Sequence, residues 1–208
     1  MNARSSLWID PAKPVLASKS ATRRLLLENA GLEVEVEAAA VDERRLEREF
    51  LEGGGAPADL AMLLARAKAL DVSARRPRQL CIGADQTLLL DGMLFHKPED
   101  LTAAAQSLAR LAGRTHILLA GVCVARAGEV LFEATQGTEM TMRALDEAAI
   151  QLYLAAAGPA VLSSVGAYQI EGLGIHLFET IDGDHATILG LPLFALLRWL
   201  RKQRVLAL

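Results

Sequence analysis

The sequence predicts an α/β fold in which a mixed, curved β-sheet is flanked by helices. Two observations carry this prediction. Short apolar runs alternate with helix-forming runs near the N-terminus, and two hairpin patterns in the middle of the chain indicate antiparallel strands. No repeat, low-complexity segment or clear linker interrupts the pattern, so we expect one domain over residues 1–208.

The first strand–helix unit lies close to the N-terminus. Residues 14–17 form a short apolar run that predicts a buried strand. Ser20 is a favourable N-cap for a helix over residues 23–30, and Gly31 follows at the position where helices commonly stop. Residues 33–37 alternate between charged and apolar side chains, which is typical of a half-exposed strand.

The next elements surround a glycine-rich connection at residues 53–55. Apolar side chains at helical spacing predict a helix over residues 58–73. A buried strand is predicted over residues 80–82, ending at Gly83-Ala84-Asp85. Residues 88–95 are predicted to form a hairpin, because Asp91-Gly92 in their middle is a favoured two-residue turn.

The second half of the chain contains longer elements. We expect, in order, a helix over residues 102–111, a long hairpin over 116–141, a helix over 145–157, a strand over 175–181 and a helix over 192–203. Acidic residues in the first turn of the helix at 145 favour it through the helix dipole.

Composition excludes several classes of protein. The net charge of −3 argues against a generally basic nucleic-acid binder, so we expect no nucleic-acid polymer as partner. No signal peptide is evident in residues 1–12, and no apolar run approaches the ~20 residues of a membrane span. Cys81 and Cys123 lie in apolar runs, which predicts buried thiols in a reducing cytoplasm.

Three segments offer reactive side chains, each where an apolar strand is expected to stop: residues 16–24, 82–87 and 96–98. In the first, a helix N-terminus attracts anions, Ser18 and Ser20 add hydroxyls, and the forked guanidinium of Arg23 suits a phosphate. When this segment is taken alone, simple capping by Ser20, with Arg23 and Arg24 on a solvated face, is the favoured explanation, because serine before a helix is common.

Carboxylates and lysines in the other segments suggest a site for a metal-bound polyphosphate. Asp85, at the expected end of a strand, would hold Mg²⁺ or orient a water, and Glu43 would add a second carboxylate. Lys68 would reach the same site across an apolar helix face, and the hairpin would return Lys97 to it. The alternatives are an aspartate that caps a turn, a solvated acidic loop at Glu43 and two surface lysines.

Other catalytic centres find no support. The four histidines show no metal-ligand spacing, which favours structural or surface roles for them. No serine-hydrolase elbow, Walker loop or zinc-protease motif is present. Turn chemistry around Gly183 explains most of the acidic cluster Glu179, Asp182 and Asp184.

In these segments and several others, the chain resembles the Maf family of nucleoside triphosphate pyrophosphatases. The resemblance covers residues 14–200 nearly continuously and in one order. The segments that carry it are Leu-Ala-Ser-Lys-Ser-Ala-Thr-Arg-Arg (16–24), Val-Asp-Glu (41–43), Ala-Lys-Ala (67–69), Ile-Gly-Ala-Asp-Gln (82–86), Lys-Pro (97–98), Gly-Arg-Thr-His (113–116), Val-Gly-Ala-Tyr (165–168), Glu-Gly-Leu-Gly-Ile-His-Leu-Phe-Glu (171–179) and Gly-Leu-Pro-Leu (190–193).

The resemblance implies a cytoplasmic, homodimeric enzyme with a Maf/ITPase-like curved sheet and a cleft between two lobes. The implied reaction is metal-dependent attack of water at the α/β phosphoanhydride of a nucleoside triphosphate, with no membrane involved. Glu43 and Asp85 would bind Mg²⁺ or Mn²⁺ or orient the water, and Lys97 would join them in catalysis. The implied phosphate-binding residues are Ser18, Ser20, Arg23, Lys68 and Lys97.

Departures from the family pattern bear on which nucleobase the substrate carries. Position 21 usually carries proline and here is Ala21. Where the branch that resembles dTTP and UTP pyrophosphatases has threonine, lysine and glutamine, this chain has Gln86, Ser164 and Glu171, as in the branch associated with 7-methyl-GTP. We therefore expect Gln86 and Glu171 to bind the base, with Glu171 attracting a cationic methylated guanine. A structural hydrogen-bonding role for Glu171 in its turn is the alternative, as are pyrimidine triphosphates as substrates and a non-catalytic nucleotide-binding regulator of septum formation.

Overall fold

A seven-stranded mixed β-sheet and seven α-helices make up the computed structural model, which describes residues 7–208. The strands are β1 (Val15–Leu16), β2 (Glu35–Val36), β3 (Cys81–Leu90), β4 (Met93–Phe95), β5 (Thr115–Arg126), β6 (Glu129–Met142) and β7 (Phe178–Asp182). The helices are α1 (Ala21–Asn29), α2 (Glu43–Glu52), α3 (Leu60–Arg75), α4 (Leu101–Leu111), α5 (Glu147–Ala157), α6 (His185–Ile188) and α7 (Leu193–Lys202). Short 3-10 helices occupy Pro57–Asp59, Gly158–Ser163 and Leu173–Leu177.

The strand order in the sheet is β2-β1-β3-β5-β6-β7, with β4 paired to β3 beside this path. Strand β1 runs parallel to both β2 and β3, whereas β3 with β4 and β6 with β7 are antiparallel. The predicted mixed α/β sheet is therefore confirmed. The prediction of no signal peptide in residues 1–12 falls partly on residues 1–6, which lie outside the described residues. Within residues 7–208, no helix is long and apolar enough to span a bilayer.

The chain forms two compact units. The first comprises residues 7–86, 120–136 and 185–208 of the described chain, and the second comprises residues 87–119 and 137–184. The expectation of one domain over the whole chain stays a prediction.

The first unit is built on an apolar core beneath β1, β3 and β5. Its buried members are Leu16, Leu27, Leu32, Leu80, Ile82, Ala84, Val122, Val124, Leu191, Leu196, Leu200 and Leu206. Helix α3 lies on the sheet at backbone contact, because a Cβ atom at Gly83 would lie 2.1 Å from the Ala65 carbonyl oxygen. A Cβ atom at Gly121 would likewise lie 2.7 Å from the Ala61 oxygen. These two glycines fix the height of α3 above β3 and β5.

The second unit packs α4 against α5 and buries a polar pair. The Nε2 atom of His116 lies 2.7 Å from the Tyr168 hydroxyl, and the Phe178 ring packs against both side chains. Burial lowers the pKa of His116 to about 4, so the imidazole is neutral at physiological pH. The structural role predicted for histidine is confirmed at this position.

Both predicted hairpins are confirmed, and both use two-residue turns. Asp91 and Gly92 have φ angles of +50° and +77°, and Ala127 and Gly128 have +52° and +81°. Positive φ at both central residues is the signature of a type I′ turn, whose twist matches that of the flanking strands. The helices predicted at 23–30, 58–73, 102–111, 145–157 and 192–203 are also confirmed, with ends that differ by a few residues.

The largest correction concerns the end of the strand that was predicted to stop at Gly83-Ala84-Asp85. Strand β3 continues from Cys81 to Leu90, so Asp85 lies in its middle rather than at its end. The neighbouring strand β1 is the one that stops, because Leu16 is its last residue and pairs with Ile82. Glycine at 83 therefore serves the close approach of α3 and does not break the strand.

A second correction concerns Glu43, which begins a helix rather than lying in a solvated acidic loop. Asp42 caps α2 by accepting a hydrogen bond from the Arg45 amide at 3.0 Å. Helix α2 has no buried residue. Its apolar side chains share one half-buried face, formed by Leu46, Phe50 and Leu51.

Three smaller differences complete the comparison. Strand β2 is limited to Glu35–Val36, and both residues are exposed, so the alternation in this segment does not mark a buried face. The strand predicted over residues 175–181 begins at Phe178, because Leu173–Leu177 forms a 3-10 helix. Helix α6 was not predicted at all.

Candidate functional site

The ammonium group of Lys68 joins two carboxylates in the first unit. Its Nζ atom lies 2.7 Å from Oδ1 of Asp85 and 2.9 Å from Oε1 of Glu43. Lys68 is 7% exposed, so it is not the surface lysine of the alternative interpretation. A buried ammonium is tolerated when paired carboxylates compensate the loss of water, and here there are two of them.

Three elements bring these side chains together. Helix α3 carries Lys68 one turn beyond Ala65, the residue in backbone contact with Gly83 of β3. Asp85 follows two residues later on β3, beyond the point where β1 ends. Glu43 is the first residue of α2, where a carboxylate also interacts favourably with the helix dipole. Asp85 is therefore a member of a charge cluster and not a turn cap.

Short hydroxyl side chains organise the start of α1. The Ser20 hydroxyl accepts a hydrogen bond from the Arg23 amide at 3.3 Å, and the Ser18 hydroxyl accepts one from the Ser20 amide at 3.2 Å. The capping role of Ser20 is thus confirmed. Binding of phosphate by these two hydroxyls stays a prediction.

Arg23 is half-buried and tied to the backbone of two other segments. Its Nε donates to the Gly190 carbonyl and its Nη1 to the Ala84 carbonyl, both at 2.8 Å, with a longer bond from Nη1 to Ser18 Oγ. The solvated arginine of the alternative interpretation is therefore wrong. Burial lowers the pKa of the guanidinium, and the charges of Asp85 and Glu43 oppose that shift. Within residues 7–208 the Nη2 atom of Arg23 makes no hydrogen bond and stays open to an anion.

Gln86, the neighbour of Asp85, binds the segment that follows Asp184. Its Nε2 donates to the Thr187 carbonyl at 3.0 Å and to the Ile188 carbonyl at 2.8 Å. The segment from His185 to Gly190 therefore contributes three backbone carbonyls to the site, two that accept from Gln86 and one that accepts from Arg23. Sequence reasoning missed this contribution, because main-chain acceptors leave no residue-type signal.

The remaining expected site residues belong to the second unit. Lys97 is exposed in the loop after β4, and Glu171 is exposed in a turn. That turn is closed by the Gln169 carbonyl, which accepts from the Gly172 and Gly174 amides. The Glu171 carboxylate makes no hydrogen bond or ion pair within residues 7–208, so the structural alternative proposed for it is wrong.

Asp85 and Glu43 are the side chains of this cluster that could hold a divalent cation. No group of three or more His, Cys, Asp or Glu side chains is arranged as a metal site in the described part of the chain. Asp85 and Glu43 each approach Lys68 through one oxygen, and within residues 7–208 neither carboxylate forms an ion pair with another side chain. Mg²⁺ commonly takes one or two carboxylates and completes its shell with phosphate oxygens and waters.

Comparison with known proteins gives consistent matches over nearly the whole chain. A protein of Nitrobacter hamburgensis named nucleoside triphosphate pyrophosphatase is 50% identical over 203 residues, which is 98% of this chain and 100% of the relative. A relative of the same name from Nitrobacter winogradskyi is 51% identical, again over 98% and 100% of the two chains. A protein of Brucella abortus named 7-methyl-GTP pyrophosphatase is 50% identical over 92% of this chain and 96% of its own. Residues 13–203 match the family described as Maf-like protein, and the chain belongs to the Maf family.

Proposed function

We propose that the protein is a nucleoside triphosphate pyrophosphatase that releases pyrophosphate and leaves a nucleoside monophosphate. The observation that carries the proposal is the buried Lys68 ammonium, which holds Asp85 and Glu43 within 2.9 Å of itself. Relatives that are 50% identical over more than nine-tenths of both chains bear the corresponding names. Paired carboxylates beside cations are the equipment that phosphoryl transfer requires, since this chemistry depends on positioning and charge neutralisation.

In the proposed reaction, a water oxygen forms a bond to the α-phosphorus and the bond from that phosphorus to the bridging oxygen breaks. The leaving group is pyrophosphate, and a proton of the water passes to the carboxylate pair of Asp85 and Glu43. Lys68 keeps both carboxylates oriented, while Arg23 Nη2 and the hydroxyls of Ser18 and Ser20 contact phosphate oxygens. Lys97 adds a further cation for the phosphates.

We further propose a divalent metal, Mg²⁺ or Mn²⁺, held by Asp85 and Glu43. When bound, such an ion neutralises charge on the phosphate oxygens and lowers the pKa of a bound water. Support comes from the donor set alone: two carboxylates, which suit a hard cation that also binds phosphate.

For the base we propose 7-methylguanine, with pyrimidine triphosphates as the competing substrates. Its support is the relative named 7-methyl-GTP pyrophosphatase together with Glu171, an exposed carboxylate without a protein partner in residues 7–208. A methylated guanine carries a positive charge, and an unpaired carboxylate attracts it.

The proposal is tested by pyrophosphate release from 7-methyl-GTP, GTP, dTTP, UTP, CTP and ATP, each with Mg²⁺ and with Mn²⁺. We expect release with every active nucleotide to depend on metal and to be fastest with 7-methyl-GTP. Faster release from the pyrimidine triphosphates would support the proposed reaction but contradict the proposal of 7-methylguanine as the base. Nucleotide binding without release from any of them would favour the non-catalytic regulator.

Homodimer formation and a cytoplasmic location complete the proposal. Exposed large apolar side chains such as Leu152 and Phe194, at 74% and 65% exposure, support self-association, which light scattering measures. Cys81 and Cys123 are free and buried, and burial raises their thiol pKa values to about 11 and about 12. Free thiols are typical of proteins in a reducing compartment.

A further inference from the structure

We infer that Gln86 is a positioning residue that acts on Arg23 through the turn at residues 187–190. The inference deepens the proposed function, since it assigns Gln86 to the phosphate side of the site instead of to the base. The evidence is a chain of hydrogen bonds that runs from the Gln86 amide through this turn to the Arg23 guanidinium.

The first link is the side-chain amide of Gln86. Its nitrogen has two hydrogens, and the carbonyls of Thr187 and Ile188 lie 3.0 Å and 2.8 Å from it. Both donors are therefore used within the first unit. A base contact through this side chain is restricted to its oxygen.

The second link is the turn itself. The Gly190 amide donates to the Thr187 carbonyl at 2.9 Å, so that carbonyl accepts from both Gln86 and Gly190. Gly190 has a φ of +88°, a conformation that favours glycine, and a Cβ atom there would lie 3.0 Å from Arg23 Nη2. The geometry of the turn thus decides where the Gly190 carbonyl points.

The third link is the contact of that carbonyl with Arg23. Nε donates to Gly190 and Nη1 donates to Ala84, so two carbonyls from separate segments define the plane of the guanidinium. Nη2 is the edge left for a phosphate oxygen. A planar fork binds phosphate through its orientation, so movement of the Gly190 carbonyl weakens phosphate binding without touching the base.

The kinetic test compares Gln86→Met and Gln86→Glu with the wild-type enzyme. Methionine keeps the length of the side chain and glutamate keeps its shape, and neither donates to the two carbonyls. We expect kcat/KM to fall about tenfold for every nucleotide, with the ranking of the bases unchanged. A changed ranking would overturn the inference and return Gln86 to the base.

A matched control exists in the same unit. The Gln79 amide also donates to a backbone carbonyl, that of Lys13, at 2.9 Å. Gln79→Met removes the same kind of hydrogen bond far from Arg23 in the bonding network, and we expect kcat/KM to change less than twofold. A drop equal to that of Gln86→Met would reduce the role of Gln86 to general stability and overturn the inference.

A double-mutant cycle tests whether Gln86 acts through Arg23. We expect the variant that combines Gln86→Met with Arg23→Lys to lose no more activity than Arg23→Lys alone. Losses that multiply would mean that the two residues act independently, and the positioning role would be wrong.

A readout without activity separates this inference from the proposed function. The Arg23 Nε–H signal in the NMR spectrum, assigned by its loss in Arg23→Lys, reports on the bond to Gly190. We expect its hydrogen exchange to be at least tenfold faster in Gln86→Met, and unchanged exchange would overturn the inference. Failure of the wild-type enzyme to release pyrophosphate would overturn only the proposed function.

Discussion

At the scale of single residues, the carboxylate of Asp85 is the group on which the proposed reaction depends most. We expect Asp85→Asn to lower kcat at least ~100-fold, because the amide neither accepts the proton of water nor balances the Lys68 charge. Pyrophosphate release under saturating nucleotide measures the loss. The melting temperature should stay within a few degrees of the wild type, since the asparagine oxygen still accepts from Lys68 and Glu43 remains paired with the ammonium.

Asp10 provides the matched control for this substitution. Its side chain is 13% exposed, like that of Asp85, and pairs with Arg126 at 2.7 Å in the same unit. Asp10→Asn should leave kcat within twofold of the wild type. Near-normal turnover in Asp85→Asn, or an equal loss in Asp10→Asn, would remove Asp85 from the reaction.

Substitution of Lys68 should affect stability as well as activity, because this side chain is buried and pairs with both carboxylates. We expect Lys68→Met to lower both activity and the free energy of unfolding, the latter by ~3 kcal/mol, since Asp85 is left without its ammonium partner. Urea unfolding at neutral pH measures the change. Arg66→Met, which breaks the exposed pair with Glu133, should cost less than ~1 kcal/mol. Equal costs for the two variants would contradict the idea that Lys68 is a buried cross-link.

At the scale of elements, the contact between α3 and β3 decides where Lys68 lies. We expect Gly83→Ala to lower the free energy of unfolding by ~2 kcal/mol or more, because its Cβ atom would lie 2.1 Å from the Ala65 carbonyl. Activity should fall with it, since α3 must move away from Asp85. Gly172→Ala is the control, as its Cβ atom would meet nothing closer than 3.9 Å. Stability of Gly83→Ala equal to that control would show that α3 is not held at this height.

The same contact explains what the sequence could and could not predict about the site. Residue types and their spacing were enough to select Ser20, Arg23, Glu43, Lys68 and Asp85, and the structure brings the last three into one charge cluster. The prediction that Asp85 lies at the end of its strand was wrong. Glycine in an apolar run suggests a strand break, but Gly83 lies within β3 and leaves room for the α3 backbone at Ala65.

Two other elements escaped prediction for related physical reasons. Helix α2 buries no residue and seven of its ten residues are charged, so it resembles a solvated segment although Leu46 and Phe50 keep helical spacing. The turn at residues 187–190 acts through its carbonyls, which every residue carries. Hydrophobic pattern predicts the elements that form the core, whereas contacts made by backbone atoms emerge only when the chain is folded.

At the scale of the whole molecule, the buried pair of His116 and Tyr168 links folding to pH. The Nδ1 atom of His116 is buried without a partner among the described residues, and Nε2 contacts the Tyr168 hydroxyl, which in turn lies 3.5 Å from the Met140 sulfur. A hydrogen on Nε2 that is donated to the tyrosine oxygen, with the hydroxyl donating to sulfur, satisfies every donor in this chain of bonds. A second proton on Nδ1 would have no acceptor.

The folded protein therefore binds this proton more weakly than the unfolded chain does. Burial holds the pKa of His116 at about 4, against an ordinary value of 6.5, so the unfolded state carries more protons between these two values. Stability is then highest above pH 6.5 and is lost as the pH falls toward 4. The difference in pKa corresponds to about 3 kcal/mol.

We expect the free energy of unfolding, measured in urea, to decrease between pH 7.5 and pH 4 in both the wild type and His116→Phe. The decrease should be about 3 kcal/mol larger in the wild type. Phenylalanine removes the titrating group and fills most of the volume, so its variant keeps only the pH dependence of the remaining groups. His176→Gln serves as the matched control, because His176 is exposed and should leave the wild-type slope unchanged. A slope that persists in His116→Phe would mean that the acid sensitivity of the fold lies in the carboxylates and not in this buried histidine.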